Sequence, residues 1–153
     1  MWRPAVMLMM WALAGVAFAA DAATPAGVWK TIDDKTGQPR SLVRIVQTAS
    51  GYEGRVTKIL PLPDEDSKNP DHLCKACTDD RKDKPIVGMV ILRGLRPDGD
   101  VFAGGEILDP NNGKTYRCKM TVKDGGRRLD VRGFIGISLI GRTQTWLREP
   151  TSP

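Results

Sequence analysis

Turn-forming residues punctuate this chain at intervals too short for a helical protein. Asp34-Lys35-Thr36-Gly37, Ser50-Gly51, Arg96-Pro97-Asp98-Gly99, Asp109-Pro110-Asn111-Asn112-Gly113 and Lys123-Asp124-Gly125-Gly126 carry the turn residues, most of them joining proline, asparagine or aspartate to glycine. Proline presets φ at the second turn position, and Asn-Gly or Asp-Gly tolerates the positive φ that a tight hairpin demands. Between the turns, polar and apolar residues alternate. Over Lys114 to Val122, Tyr116, Cys118, Met120 and Val122 share one face, and Thr115, Arg117, Lys119 and Thr121 share the other. Leu129, Val131 and Gly133 alternate with Arg128, Asp130 and Arg132 in the same way. A period of two with one dry face and one wet face marks antiparallel strands. Further strands are expected at Val28 to Asp33, Ser41 to Gln47, Tyr52 to Leu60, Ile86 to Leu95, Val101 to Leu108 and Thr143 to Arg148.

Eight short strands joined mainly by tight turns make a meander, and closing that sheet on itself removes its adhesive edges. The expected fold is all-β: an antiparallel up-and-down barrel of about eight strands. A two-sheet sandwich satisfies the same alternation. Two segments break the regularity. The polar stretch 61–84 holds Pro61, Pro63, Pro70 and a Cys-x-x-Cys, and a structureless loop of that length in a small domain is usually functional or mobile. The stretch Phe134 to Gly141 is apolar on both parities and broken by glycine, which suits a bulged strand, a crossing under a barrel floor or a pocket rim.

The amino terminus concerns location. Met1-Trp2-Arg3-Pro4 carries one positive charge, Ala5 to Phe18 is an uncharged apolar run, and Ala17-Phe18-Ala19 offers the small-x-small pattern of a cleavage site. This run is shorter than the roughly 20 residues that cross a bilayer as a helix. Residues 1–20 are therefore expected to be a signal peptide, cut between positions 19 and 22, leaving 21–153 as a single barrel domain in the periplasm or outside the cell. No transmembrane segment is expected in the mature protein. Loss of Arg3 leaves 22 basic residues against 18 acidic ones, a modest excess of +4. These charges are scattered rather than clustered, which disfavours nucleic acid as a partner while leaving weak attraction to anionic surfaces open.

Cysteine chemistry follows from that compartment. In an oxidising space, Cys74 and Cys77 are expected to form a local disulfide that pins the 61–84 loop. Pairing of either one with Cys118 is the competing arrangement. Thiol exchange would need the motif at the start of a helix, where the dipole lowers the thiol pKa. A zinc site would need His72, Cys74, Cys77 and Cys118 together, a thin match to paired zinc motifs. Cys118 otherwise reads as a small apolar residue on the dry face of its strand. No metal, cofactor or catalytic residue is assigned. His72 is the sole histidine, no serine sits in a nucleophile elbow, and Asp64-Glu65-Asp66 and Asp79-Asp80 lack the order of a calcium loop. Glu106 and Asp109 are the kind of acidic pair that any such protein contains by accident.

Gly27-Val28-Trp29, the "GMVILRG" of Gly88 to Gly94, the "GEILDPNNGKTY" of Gly105 to Tyr116, and above all "LDVRGFIGISLIGRTQTWLR" from Leu129 to Arg148 resemble a family of exported bacterial proteins known only as a domain of unknown function. The resemblance covers essentially the whole chain after the leader. It implies a small lipocalin-like, calycin-type β-barrel. Gly27-Val28-Trp29 is similar to the lipocalin signature, in which a first-strand tryptophan closes the barrel base beneath an arginine of the last strand. On that resemblance Gly27 and Trp29 form a structural plug with Arg148 or Arg142. The competing reading makes Trp29 an ordinary core aromatic, and the chain departs from lipocalins in its long insertion and in lacking a helix after the barrel.

An eight-stranded barrel is just wide enough to be filled by its own side chains or to hold one small ligand. Aromatic residues make up only 6% of the chain, which leaves room for a cavity. The expected function is binding of a small apolar or amphipathic ligand by Tyr116, Met120, Val122, Leu129 and Val131. The alternative is an envelope accessory protein with a solid barrel as scaffold and the 61–84 loop as its contact surface; a thiol-disulfide or metal-binding role is a minor one.

Overall fold

The structure, a computed structural model, describes residues 24–150, and the proposed signal peptide lies outside them. Eight antiparallel strands close into a barrel in simple chain order. They are β1 (Gly27–Ile32), β2 (Pro39–Thr48), β3 (Gly51–Ile59), β4 (Val90–Asp98), β5 (Val101–Asp109), β6 (Lys114–Lys123), β7 (Arg128–Phe134) and β8 (Gly141–Arg148). The turns fall where proline, glycine and asparagine placed them, with one shift. Strand β4 runs on through Pro97, which lies opposite Phe102, and the chain reverses only after Asp98. A proline lacking an N–H is tolerated this close to the end of a hairpin.

The hairpin order divides the loops between two ends. Segments 49–50, 99–100 and 124–127 lie at one end, and segments 33–38, 60–89, 110–113 and 135–140 lie at the other. The first end is shut. Trp29 is fully buried, its Nε1 donates to the Pro25 carbonyl at 2.8 Å, and the Arg148 guanidinium stacks on its ring at 4.1 Å from the centroid. Arg148 also donates to the carbonyls of Ala26 at 2.6 Å, Thr24 at 2.9 Å and Gly126. A planar, permanently charged fork can stack and donate in several directions at once, which a lysine ammonium cannot do. Gly27 holds φ at +137°, and a Cβ there would run into the Arg148 guanidinium. Glycine is thus required both by the backbone and by the arginine.

Above this plug, Val43, Ile45, Leu92, Leu95, Met120 and Leu129 fill the lower barrel with negligible exposure. Tyr52 and Phe102 add an edge-to-face pair with centroids 5.2 Å apart. Trp29 and Arg148 also close the sheet, since the β1–β8 register consists of Trp29 opposite Arg148 and Lys30 opposite Leu147. Lys30 and Glu149 form an ion pair at 2.6 Å beside this seam, and the Glu149 N–H donates to the Val28 carbonyl.

The 60–89 insertion is more ordered than a polar loop suggests. Pro63 opens a one-turn helix, α1 (Pro63–Asp66), and a bridge joins Leu73 to Pro85. The polar-loop reading of 61–84 does not include this helix, although proline in the first turn followed by three acids suits one, through the fixed φ and the N-terminal partial charge.

Removing the arginine fork by Arg148→Ala strips the Trp29 ring and leaves buried carbonyls without their donor, so it should cost about 3 kcal/mol, read from chemical denaturation. Arg148→Lys should recover less than half of that loss, and Gly27→Ala should destabilise by displacing the guanidinium.

Candidate functional site

At the open end the interior is unfilled. A cavity of about 600 Å³ runs from the mouth into the barrel, within the range of small-molecule sites. Its wall is aliphatic and aromatic: Val56, Ile59, Ile86, Ile91, Ile107, Leu108, Tyr116, Val131 and Trp146. The polar groups of the wall below the charged rim are few and paired. Thr31 and Ser41 share a hydroxyl–hydroxyl hydrogen bond of 2.7 Å, and the Trp146 Nε1 donates to Gln144 at 3.1 Å. These groups satisfy one another, so the wall below the rim presents mainly carbon to an occupant.

The rim is charged. Arg142 lies 2.9 Å from Asp34 and 3.9 Å from Asp109, and Gln144 donates to Asp34 at 3.0 Å, which ties β8 to the β1–β2 loop and to the end of β5 across the mouth. Arg40 pairs with Asp66 at 2.8 Å and donates to the Leu60 carbonyl, anchoring α1 beside the opening. The Leu62 backbone N–H, then Arg40, stabilise the ionised Asp66 carboxylate and hold it below the ordinary carboxylate range. Farther along the insertion, the Arg81 guanidinium holds Asp79 down at about 2.

The disulfide Cys74–Cys77 lies under this flank with both sulfurs buried, and the Pro110 carbonyl lies 3.6 Å from the Cys74 sulfur. The β5–β6 hairpin approaches closely, and a Cβ on Gly113 would overlap the Ala76 backbone. The pinned insertion therefore docks on that hairpin and forms one side of the mouth. Cys118 is a buried free thiol whose pKa desolvation raises to about 12. The Cys-x-x-Cys does not open a helix: α1 ends before it, and the motif lies in irregular backbone. Among the described residues, no three of His, Cys, Asp and Glu come together in a metal-binding arrangement.

The residues singled out from sequence separate by depth. Tyr116 and Val131 line the cavity. Met120 and Leu129 point inward but are fully buried in the packed lower half, and Val122, also near the plug, packs against that core. Strand parity assigns a side chain to the inside of a barrel, and only closure tells how far from the floor it lies. Arg148 lies over Trp29, whereas Arg142 stands at the opposite end on the rim. Cavity residues from the other strands, such as Val56, Ile91, Ile107 and Trp146, were legible as inward-facing only once the pairing was known. The segment 135–140 is a rim loop, with Ile135 and Ile140 at the cavity edge.

A closed eight-stranded meander with a stacked tryptophan–arginine floor and an apolar cavity defines a lipocalin-like barrel. The chain belongs to the bacterial family described as "uncharacterized protein conserved in bacteria" (DUF2147), whose pattern matches residues 27–148. No curated protein matches it. A solved structure that it resembles is the HP1028 protein of Helicobacter pylori, described as belonging to the lipocalin family, with a TM-score of 0.67 and 16% identity over 82% of this chain and 83% of that one. At that identity the likeness concerns the fold.

Thiol titration tests the cysteine arrangement. The native protein should leave Cys118 unreacted with an aromatic disulfide reagent, and the denatured, unreduced protein should release one equivalent. Rapid reaction of the native protein would contradict the buried thiol.

Proposed function

We propose that this protein is an exported carrier or sequestering barrel that takes a small apolar or amphipathic molecule into its cavity, with the hydrocarbon part inward and a polar end at the charged rim. The observation that carries this reading is the 600 Å³ cavity, walled by Val56, Ile91, Ile107, Val131 and Trp146 beneath a rim of Asp34, Arg40, Asp109 and Arg142. Burial of apolar surface supplies affinity for a chain or ring, and the few polar groups at the rim favour one orientation. The same open space disfavours the solid-scaffold alternative, which needs an interior filled by its own side chains. Export is supported by the leader-like residues Met1 to Ala19 and by an oxidised Cys74–Cys77.

The test expresses the full chain, leader included, and titrates the protein recovered from the periplasmic fraction of the bacterium with the fluorescent fatty acid cis-parinaric acid. Saturable binding with one site per chain is expected. Val131→Phe and Ile107→Phe, which place carbon in the cavity, should weaken it at least tenfold. Because the added atoms occupy space rather than overpack the core, thermal stability should hold or rise. Absence of saturable binding, or binding indifferent to both substitutions, contradicts the proposal, and retention of an uncleaved leader contradicts the export part of it.

A further inference from the structure

The loop joining β7 to β8 exposes four large aliphatic side chains within six residues: Ile135 is 65% exposed, Ile137 59%, Leu139 85% and Ile140 66%. The remaining exposed large hydrophobics, Val46, Val87 and Leu147, are scattered singly. A contiguous cluster of this kind on a small soluble domain marks an interaction surface.

The loop is built rather than loose. The Arg117 guanidinium donates to the Gly136 carbonyl at 3.2 Å, Arg132 donates to the Ser138 carbonyl at 2.7 Å, and the Lys119 ammonium donates to the Ser138 hydroxyl at 3.3 Å. Arg117 also lies over the Phe134 ring. Three cations on the outer wall of β6 and β7 thus underlie the apolar loop, and among the described residues none of them has an ion-pair partner. Lys119 and Arg132 face each other directly in the β6–β7 register. Like charges opposed across a ladder cost stability, and the bonds that Lys119 and Arg132 make to Ser138 offset that cost while keeping both cations under the loop. Glu106, opposite Arg117 in the β5–β6 register, lies 3.6 Å from Arg93, and Asp130 accepts from Thr145.

We propose that the 135–140 loop is a membrane-docking device that inserts its aliphatic side chains into the interface of an anionic lipid bilayer while Arg117, Lys119 and Arg132 meet the phosphates. Apolar residues above a basic belt are what an interfacial anchor requires, and binding then depends on both hydrocarbon burial and anionic lipid. A second copy of this chain is a poor occupant, because a two-fold contact through the loop would bring the two basic belts together. Docking through this loop presents the cavity mouth to the bilayer, since Ile135 and Ile140 belong to both. The surface itself is independent of whether the cavity holds a ligand.

The experiment is flotation of the leaderless protein with vesicles of phosphatidylethanolamine and phosphatidylglycerol, compared with phosphatidylcholine alone. The protein should float with the anionic vesicles, increasingly so at low salt, and remain free of the neutral ones. Ile137→Asp combined with Leu139→Asp, at positions outside the cavity wall, should reduce the bound fraction at least tenfold while leaving cis-parinaric acid binding intact. Lys119→Gln combined with Arg132→Gln keeps the aliphatic residues and should also lower binding and flatten its salt dependence. No flotation, flotation unchanged by either pair, or a dimer broken by the aspartate pair in a protein that ignores vesicles would overturn the proposal. Loss of vesicle binding with retained fatty-acid binding separates this surface from the cavity, and the reverse result separates the cavity from this surface.

Discussion

The contact between Trp29 and Arg148 does two jobs that the rest of the molecule relies on. It is a register pair of the short β1–β8 seam, so it completes the cylinder, and it is the floor of that cylinder. Joining the two ends of a meander carries the largest loop-closure cost of any strand pair in the chain, because the residues involved are 119 positions apart. A stacked guanidinium that also donates to carbonyls before β1 and after β6 concentrates many interactions at this one place. Once the floor is set, Met120, Leu129, Leu92 and Leu95 pack on it, and the cavity lies toward the opposite end.

The asymmetry between ends follows from the loops. Tight connections at the plugged end leave little chain to reach inward, whereas the mouth carries the long insertion and the aliphatic β7–β8 loop. The Cys74–Cys77 ring is too short to remove much chain entropy. Its role here is local: it shapes the turn that packs under Pro110 and against Gly113. Arg40 and Asp66 tie the start of the insertion to β2, so one wall of the mouth is fixed at two points.

Much of the barrel was legible because its signals are short-range. Alternation in Lys114 to Val122 and glycine-bearing turns such as Asp109 to Gly113 reflect the pleat and the backbone directly, and the strands formed where those signals lie. The tryptophan–arginine floor came from a resemblance, since a pairing over 119 positions leaves no trace in local pattern. Depth was invisible for the same reason: Val131 and Leu129 share a face, yet one borders the cavity and the other lies in solid core. In the segment 134–141, apolar residues on both parities conflicted with any half-buried strand. The conflict is resolved by a loop whose side chains remain in solvent, and such a conflict between local pattern and fold often marks a functional surface.

Collisional quenching of tryptophan fluorescence addresses the account most directly, because the leaderless chain has only Trp29 in the floor and Trp146 in the cavity wall. A brominated fatty acid should quench a saturable part of the emission, and that part should vanish in Trp146→Phe while the Trp29 emission persists. An unquenched protein, or quenching that survives intact in Trp146→Phe, would contradict a barrel shut at one end and receptive at the other.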